Sequence, residues 1–272
     1  MTGPIGRRLF PIDALRGLII IVMALDHTNH FVARQHSSGE YWGGPFPVYD
    51  SALPFLTRVV THIAAPGFFF LMGVGMMIFA QSRQGAGWRK WDIRRHFWLR
   101  GFLLMLLQFT LVNLDWSWSL GGWIPSYYVG VLFALGGTMF VGSFLLGLPA
   151  WVLLLITAVS LFVSQIIIPD PSAWGSIPAS VLQKLLLWPG GNASVWSNYP
   201  ILPWLPLVTF GLAYGRDLRS ETARLWRHTL WLGLFFLTVF VILRAYGGPG
   251  NIRPPVAEGW IPFFNMVKYP PS

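Results

Sequence analysis

The sequence predicts an all-α polytopic membrane protein, and three observations carry that prediction. Of its 272 residues, 54% are hydrophobic and 11% charged, against roughly 25% charged in an average soluble domain. Mean hydropathy is +0.55, and several apolar runs reach the ~20 residues needed to cross a bilayer. The basic residues behind the net charge of +9 sit in short connections beside those runs, so membrane topology explains them better than a nucleic-acid footprint. The 15 Trp and 8 Tyr suit aromatic belts at the two interfaces. There is no cysteine, which excludes disulfides, thiol catalysis and Cys-based metal sites.

Helix one is predicted from about Ile12 to Val32. Asp26 and His27 follow its apolar run directly, with no small-residue cleavage site, so it reads as an uncleaved first span. After a polar loop (34–50), helix two is predicted over Leu53–Ala80, kinked at Pro66 and able to pack closely at Gly73 and Gly75. The most basic loop follows, with Arg83, Arg89, Lys90, Arg94, Arg95 and Arg100. Helix three spans Trp98–Leu114, and the loop DWSWSLGGW after it has no Lys or Arg. Helix four (Ser126–Leu146) and helix five (Ala150–Ile168) are joined by a tight Gly-Leu-Pro turn. The connection from Pro169 to Tyr199 contains VLQKLLLW, an amphipathic piece suited to the interface. Helix six (Ile201–Tyr214), a second basic loop with Arg216, Arg219, Arg224 and Arg227, and helix seven (Leu230–Tyr246) complete the count. Basic and Lys/Arg-poor loops alternate with the crossings, which supports seven spans and a cytoplasmic N-terminus. The chain reads as one domain, 1–272. Its Pro-Pro-Ser ending is a helix-start signal with nothing after it, which predicts a chain truncated at its C-terminus.

Titratable groups at membrane depth single out two places. Asp26, His27, Asn29 and His30 close helix one, and His62 lies inside helix two next to Thr61. With helix one rising and helix two descending, Asp26 lies roughly 21 Å and His62 roughly 13 Å along their helices at 1.5 Å per residue. In a core of about 30 Å both fall in the outer half, so neighbouring antiparallel helices would bring Asp26, His27 and His62 together. Asp26 and His30 share a face at i, i+4, as do Arg58 and His62. A neutral imidazole there could take a proton from a hydroxyl or amine, or take an acyl group itself, with a carboxylate orienting it. The same residues would equally serve as interhelical hydrogen-bond partners. His30 and His36 read as loop or interface residues, and His96 and His228 as surface residues of basic loops. Asp13 and Arg16 form an i, i+3 pair at the cytoplasmic mouth. The Arg83–Arg100 cluster could grip phosphates, although positive-inside topology already accounts for it. No glycine-rich phosphate loop, HExxH or GxSxG occurs.

The segment DALRGLIIIVMALDH resembles the opening of the heparan-α-glucosaminide N-acetyltransferase catalytic-domain family, which are membrane-embedded acyltransferases with bacterial members. The likeness continues in order through LPFLTRVVTHIAAPGFFFLMG, LRGFLLMLLQFTLV, YPILPWLPLVTFGLAYGR and NMVKYPPS. The resemblance implies transfer of an acetyl or short acyl group from cytoplasmic acetyl-CoA to a sugar hydroxyl or amine on the other face of the inner membrane. A histidine would act as acetyl carrier or as base in a ternary complex. It further implies that Asp26, His27 and His62 line the reaction site and that Asp13, Arg16 and Arg100 sit near the CoA entrance. The working histidine is ranked His27, His62, His36. Gln108 stands where many bacterial relatives would carry an acid, and further C-terminal helices would follow Ser272. The expected partners are acyl-CoA, an extracytoplasmic glycan or amino-sugar acceptor, the bilayer and a second copy of the chain; neither a metal nor nucleic acid is expected. A proton-coupled transporter using Asp26 and His62 as a relay is the main alternative, and a non-catalytic scaffold needing a partner chain is a third.

Overall fold

A computed structural model describes residues 9–33, 47–115, 127–168, 179–191, 194–218, 222–247, 255 and 257–267. Helix α1 (Phe10–Phe31) opens with Pro11 in its first turn, where the missing N–H costs nothing. Asp13 in the same turn complements the helix dipole. The single helix two of the sequence reading is two helices, α2 (Ala52–His62) and α3 (Ala64–Gly85). They break at Ile63, whose N–H turns back to the Val60 carbonyl at 3.3 Å. Pro66 is the physical reason: it has no N–H to offer the His62 carbonyl one turn back.

The basic segment expected as a loop is mostly helical. Only residues 86–89 turn, around Gly87 at φ +85°, and α4 (Lys90–Leu107) begins eight residues before the expected start. A π-helical turn, Gln108–Val112, prolongs it. The expected start of helix four at Ser126 is also corrected. Tyr127–Val129 form strand β1, and helix α5 covers Val131–Leu145. Two tyrosines and a valine favour extended backbone, and Gly130 separates them from the helix. Helix α6 (Ala150–Ile167) leads to α7 (Val181–Leu186), the interfacial piece of the sequence reading. A reciprocal Ser180–Gln183 capping box starts α7. Strands β2 (Gly190–Gly191) and β3 (Val195–Ser197) complete a small sheet of order β1-β3-β2, parallel across β1–β3 and antiparallel across β3–β2. Helices α8 (Ile201–Asp217), α9 (Thr222–Tyr246) and the short α10 (Trp260–Phe264) follow.

Four helical stretches among the described residues are long and apolar enough to cross a bilayer: 52–85, 90–115, 150–167 and 227–246. The other expected crossings fall short for identifiable reasons. Helix α5 has 15 residues and α8 has 17, while α1 carries Asp13, Arg16 and Asp26–His30 around a short apolar stretch.

The main core lies between α3, α4, α5, α6 and α8, where Phe69, Met76, Met77, Phe97, Ala134, Leu153, Trp204, Val208 and Leu212 are buried together. Helices α3 and α8 approach most closely. A Cβ on Gly73 would strike the Val208 carbonyl oxygen, and one on Gly211 would strike that of Phe70. Gly101 and Gly136 join α4 to α5 in the same way. Apolar helices in lipid gain little from further hydrophobic burial, so close backbone approach is what holds them together. Helix α1 packs against this body through a second cluster, Ile12 and Ile19 on Leu71, Val74 and Leu218.

Candidate functional site

Helix α1 crosses α3 antiparallel, with Ile19 over Gly67 and the Arg16 guanidinium over Gly75, and it also contacts α2. That crossing puts two polar groups at opposite ends of α1. At the first end, Arg16 donates to Asp13 Oδ1 at 3.3 Å, with both side chains about half exposed (44% and 52%). The α3–α4 turn lies at this end. Arg83 stacks on Phe79 and Trp88 at 5.1 and 5.0 Å, and Arg89 forms a forked pair with Asp92 at 3.0 and 3.3 Å. The hydrogen bond to Asp92 holds Arg89 more firmly in its charged form. A shallow cleft of about 500 Å³ is lined by Gly87, Trp88, Arg89 and Asp92.

His96, expected on the surface, is half-buried in α4 with its ring stacked on Phe79 at 4.6 Å and 13°. Arg100 is exposed on the same helix, one turn after His96. Arg100 thus shares a face of α4 with His96, while Asp13 and Arg16 form a pair beside α3.

At the other end of α1, His27 is exposed and its Nδ1 lies 2.8 Å from the Met23 carbonyl oxygen. A carbonyl can only accept, so the neutral ring carries its proton on Nδ1 and leaves the Nε2 lone pair available. The contact that orients His27 at Nδ1 is thus the backbone of the preceding turn. Asp26 and His30 are half-buried beside it, and His30 meets Phe31 edge-on at 4.8 Å. On α2, His62 is half-buried and Thr61 is buried, with the Thr61 hydroxyl donating to the Arg58 carbonyl at 3.0 Å. His36 lies outside the described residues.

Sequence reasoning missed a third group at this end. Arg58 is buried and donates to Asn265 Oδ1 at 2.6 Å and to the Met266 carbonyl at 2.7 Å. Arg244, buried near the end of α9, donates to the carbonyls of Phe263 (2.7 Å), Asn265 (2.9 Å) and Pro262 (3.3 Å). The Asn265 amide donates to the Pro47 carbonyl at 2.8 Å. A lone arginine in an apolar run is itself a signal, so Arg244 could have been singled out. Asn265 carried no signal beyond the NMVKYPPS segment. Gln108, fully buried at the π turn, donates to the Tyr128 carbonyl at 3.2 Å and so ties α4 to the small sheet. Among the described residues, no group of three or more His, Asp or Glu is placed to hold a metal ion.

Residues 8–244 match the family described as heparan-alpha-glucosaminide N-acetyltransferase, catalytic. No curated protein matches the chain. The match covers both polar ends of α1 and, among the described residues, all of the membrane-length helices but the last two residues of α9, so this membrane protein belongs to the heparan-α-glucosaminide N-acetyltransferase catalytic family, with the transmembrane acetyltransferase-like function that membership implies.

Proposed function

We propose that the protein moves an acetyl or short acyl group from cytoplasmic acyl-CoA to a sugar hydroxyl or amine on the outer face of the inner membrane. Its N-terminus would be cytoplasmic. The family match over 8–244 carries this reading. The layout of α1 supports it, because eleven residues separate Arg16 from His27, roughly 17 Å of helix. That is a spacing the long thioester arm of a donor bound by its phosphates would have to cover.

In this reading Arg16, held by Asp13, and Arg100 bind the phosphates at one end. At the other end the acceptor's hydroxyl or amine gives its proton to His27 Nε2 as its oxygen or nitrogen attacks the thioester carbonyl. The C–S bond breaks, and the CoA thiolate recovers the proton from the imidazolium. Asp26 stabilises the imidazolium, and His62 is a second base or a donor to the developing oxyanion. If His27 instead takes the acyl group first, the same lone pair is the nucleophile.

The melting temperature of the detergent-purified chain with acetyl-CoA, CoA or ATP tests the donor site. A ligand at about 100 times its Kd adds roughly 2.7 kcal/mol to the folded state. The expected result is a rise with acetyl-CoA and CoA but not ATP, followed by acetyl transfer to glucosamine. Substrate flux into proteoliposomes without acyl-CoA, and no melting shift with CoA, would replace this reading with a transporter.

A further inference from the structure

The mechanism above makes no use of the buried arginines. Arg58 lies one helical turn before His62, on the same face of α2. The segment that Arg58 holds runs along α2. Trp260 packs on Phe55 at 5.5 Å, and Asn265 and Met266 bond to Arg58. On α2, Phe55 is 1% and Arg58 6% exposed; in the segment, Asn265 is 4% and Val267 5% exposed. Arg244 secures the segment from α9 through three backbone carbonyls, and Asn265 ties it to Pro47 ahead of α2. Asn265 is the hub, bonded through both its side-chain amide and its backbone carbonyl.

We propose that Arg58 and Asn265 are positioning residues of the His62 site, clamping segment 260–267 along α2 so that it forms one wall of the acceptor pocket. Continuing the course from Phe55 to Arg58 brings Val267 to the turn that holds Thr61 and His62. The clamp fixes how deeply a polar acceptor reaches and which side of the His62 ring it meets. A planar arginine suits this task because its fork bonds two acceptors in fixed geometry, whereas a lysine is a point charge. As an acceptor wall, the clamp rests on the acyltransferase reading; as a shield over His62, it does not.

The test is carbethoxylation of the purified chain with diethyl pyrocarbonate, with the rate at each histidine followed by mass spectrometry. In Asn265→Ala and Arg58→Lys the rate at His62 is expected to rise several-fold, while the rate at exposed His228 stays unchanged. The double variant should add little to either single change, as expected for residues acting as one unit. In parallel, the KM for glucosamine should rise about tenfold in Asn265→Ala, with the acetyl-CoA melting shift retained. An unchanged rate at His62 in folded Asn265→Ala overturns the clamp. Failure of both variants to fold also overturns it, because the contacts would then be structural alone. A wild-type chain that transfers no acetyl group removes the acyltransferase reading, and the footprint still decides the clamp.

Discussion

Two glycines on different faces of α3 mark two kinds of packing. At Gly73 the neighbour is the carbonyl oxygen of Val208 on α8, a backbone atom that cannot step aside. Two residues on, a Cβ at Gly75 would lie 2.5 Å from Arg16 Nη2, the far end of a flexible side chain. The α3–α8 seam is apolar, glycine-fitted and closed around Trp204, which Phe69 and Tyr199 flank at 4.7 and 4.8 Å. The corner made by α1 and α2 is thinner, half-exposed and carries His27, His30 and His62. In the proposed reading rigidity and chemistry are therefore spatially divided, and substitutions in the two regions should fail in different ways.

The largest effect should come from the corner and should leave stability alone. His27→Ala removes an exposed ring whose only described hydrogen bond is to its own helix. It should cut acetyl transfer by about 10²–10⁴-fold, the usual contribution of a positioned base, with the melting temperature close to wild type. Full activity in that variant would move the chemistry to His62. The seam should show the reverse. Gly73→Ala has to push two backbones apart, a change on the order of 1–3 kcal/mol, and should appear as a lower melting temperature and lower folded yield.

Gly75→Ala sharpens the contrast because it makes the same chemical change two residues away. Here the guanidinium swings aside, and alanine's better helix propensity, up to about 1 kcal/mol over glycine, offsets the disturbance. Apo stability should stay near wild type while the acetyl-CoA melting shift shrinks, because Arg16 has been displaced. Equal loss of apo stability in Gly73→Ala and Gly75→Ala would show that the α1–α3 contact is as rigid as the seam.

How much of this was legible beforehand depends on the range of the interaction. Apolar runs, loop charge and the residues at the end of α1 are local, and the sequence reading found the helices through them. Pro66 announced a disturbance, but its position could not reveal that the break falls at Ile63. The sheet was missed because Tyr127–Val129 pair with Val195–Ser197, nearly seventy residues away, and three residues carry too little pattern. From sequence His96 reads as surface because its neighbours are arginines; only the turn at Gly87, which folds α4 back along α3, places its ring on Phe79. The Arg58–Asn265 bond joins residues 207 positions apart. Such a pairing has no local signature, and the corner's polar architecture therefore needed the fold to be seen.

The smallest expected effect tests whether helix packing around α8 depends on hydrogen bonding as well as on close approach. Thr157 on α6 and Thr209 on α8 meet hydroxyl to hydroxyl at 2.7 Å. Each hydroxyl also has a carbonyl in its own helix, Leu153 for Thr157 and Pro206 for Thr209, at 2.9 and 3.0 Å. Each can therefore turn to its own backbone when the other is removed, and valine keeps nearly the same shape. A double-mutant cycle of Thr157→Val and Thr209→Val should give a coupling of about 0.6 kcal/mol, the typical interhelical value in a membrane. A coupling several times larger would mean that this pair fixes how α6 sits on the α3–α8 body.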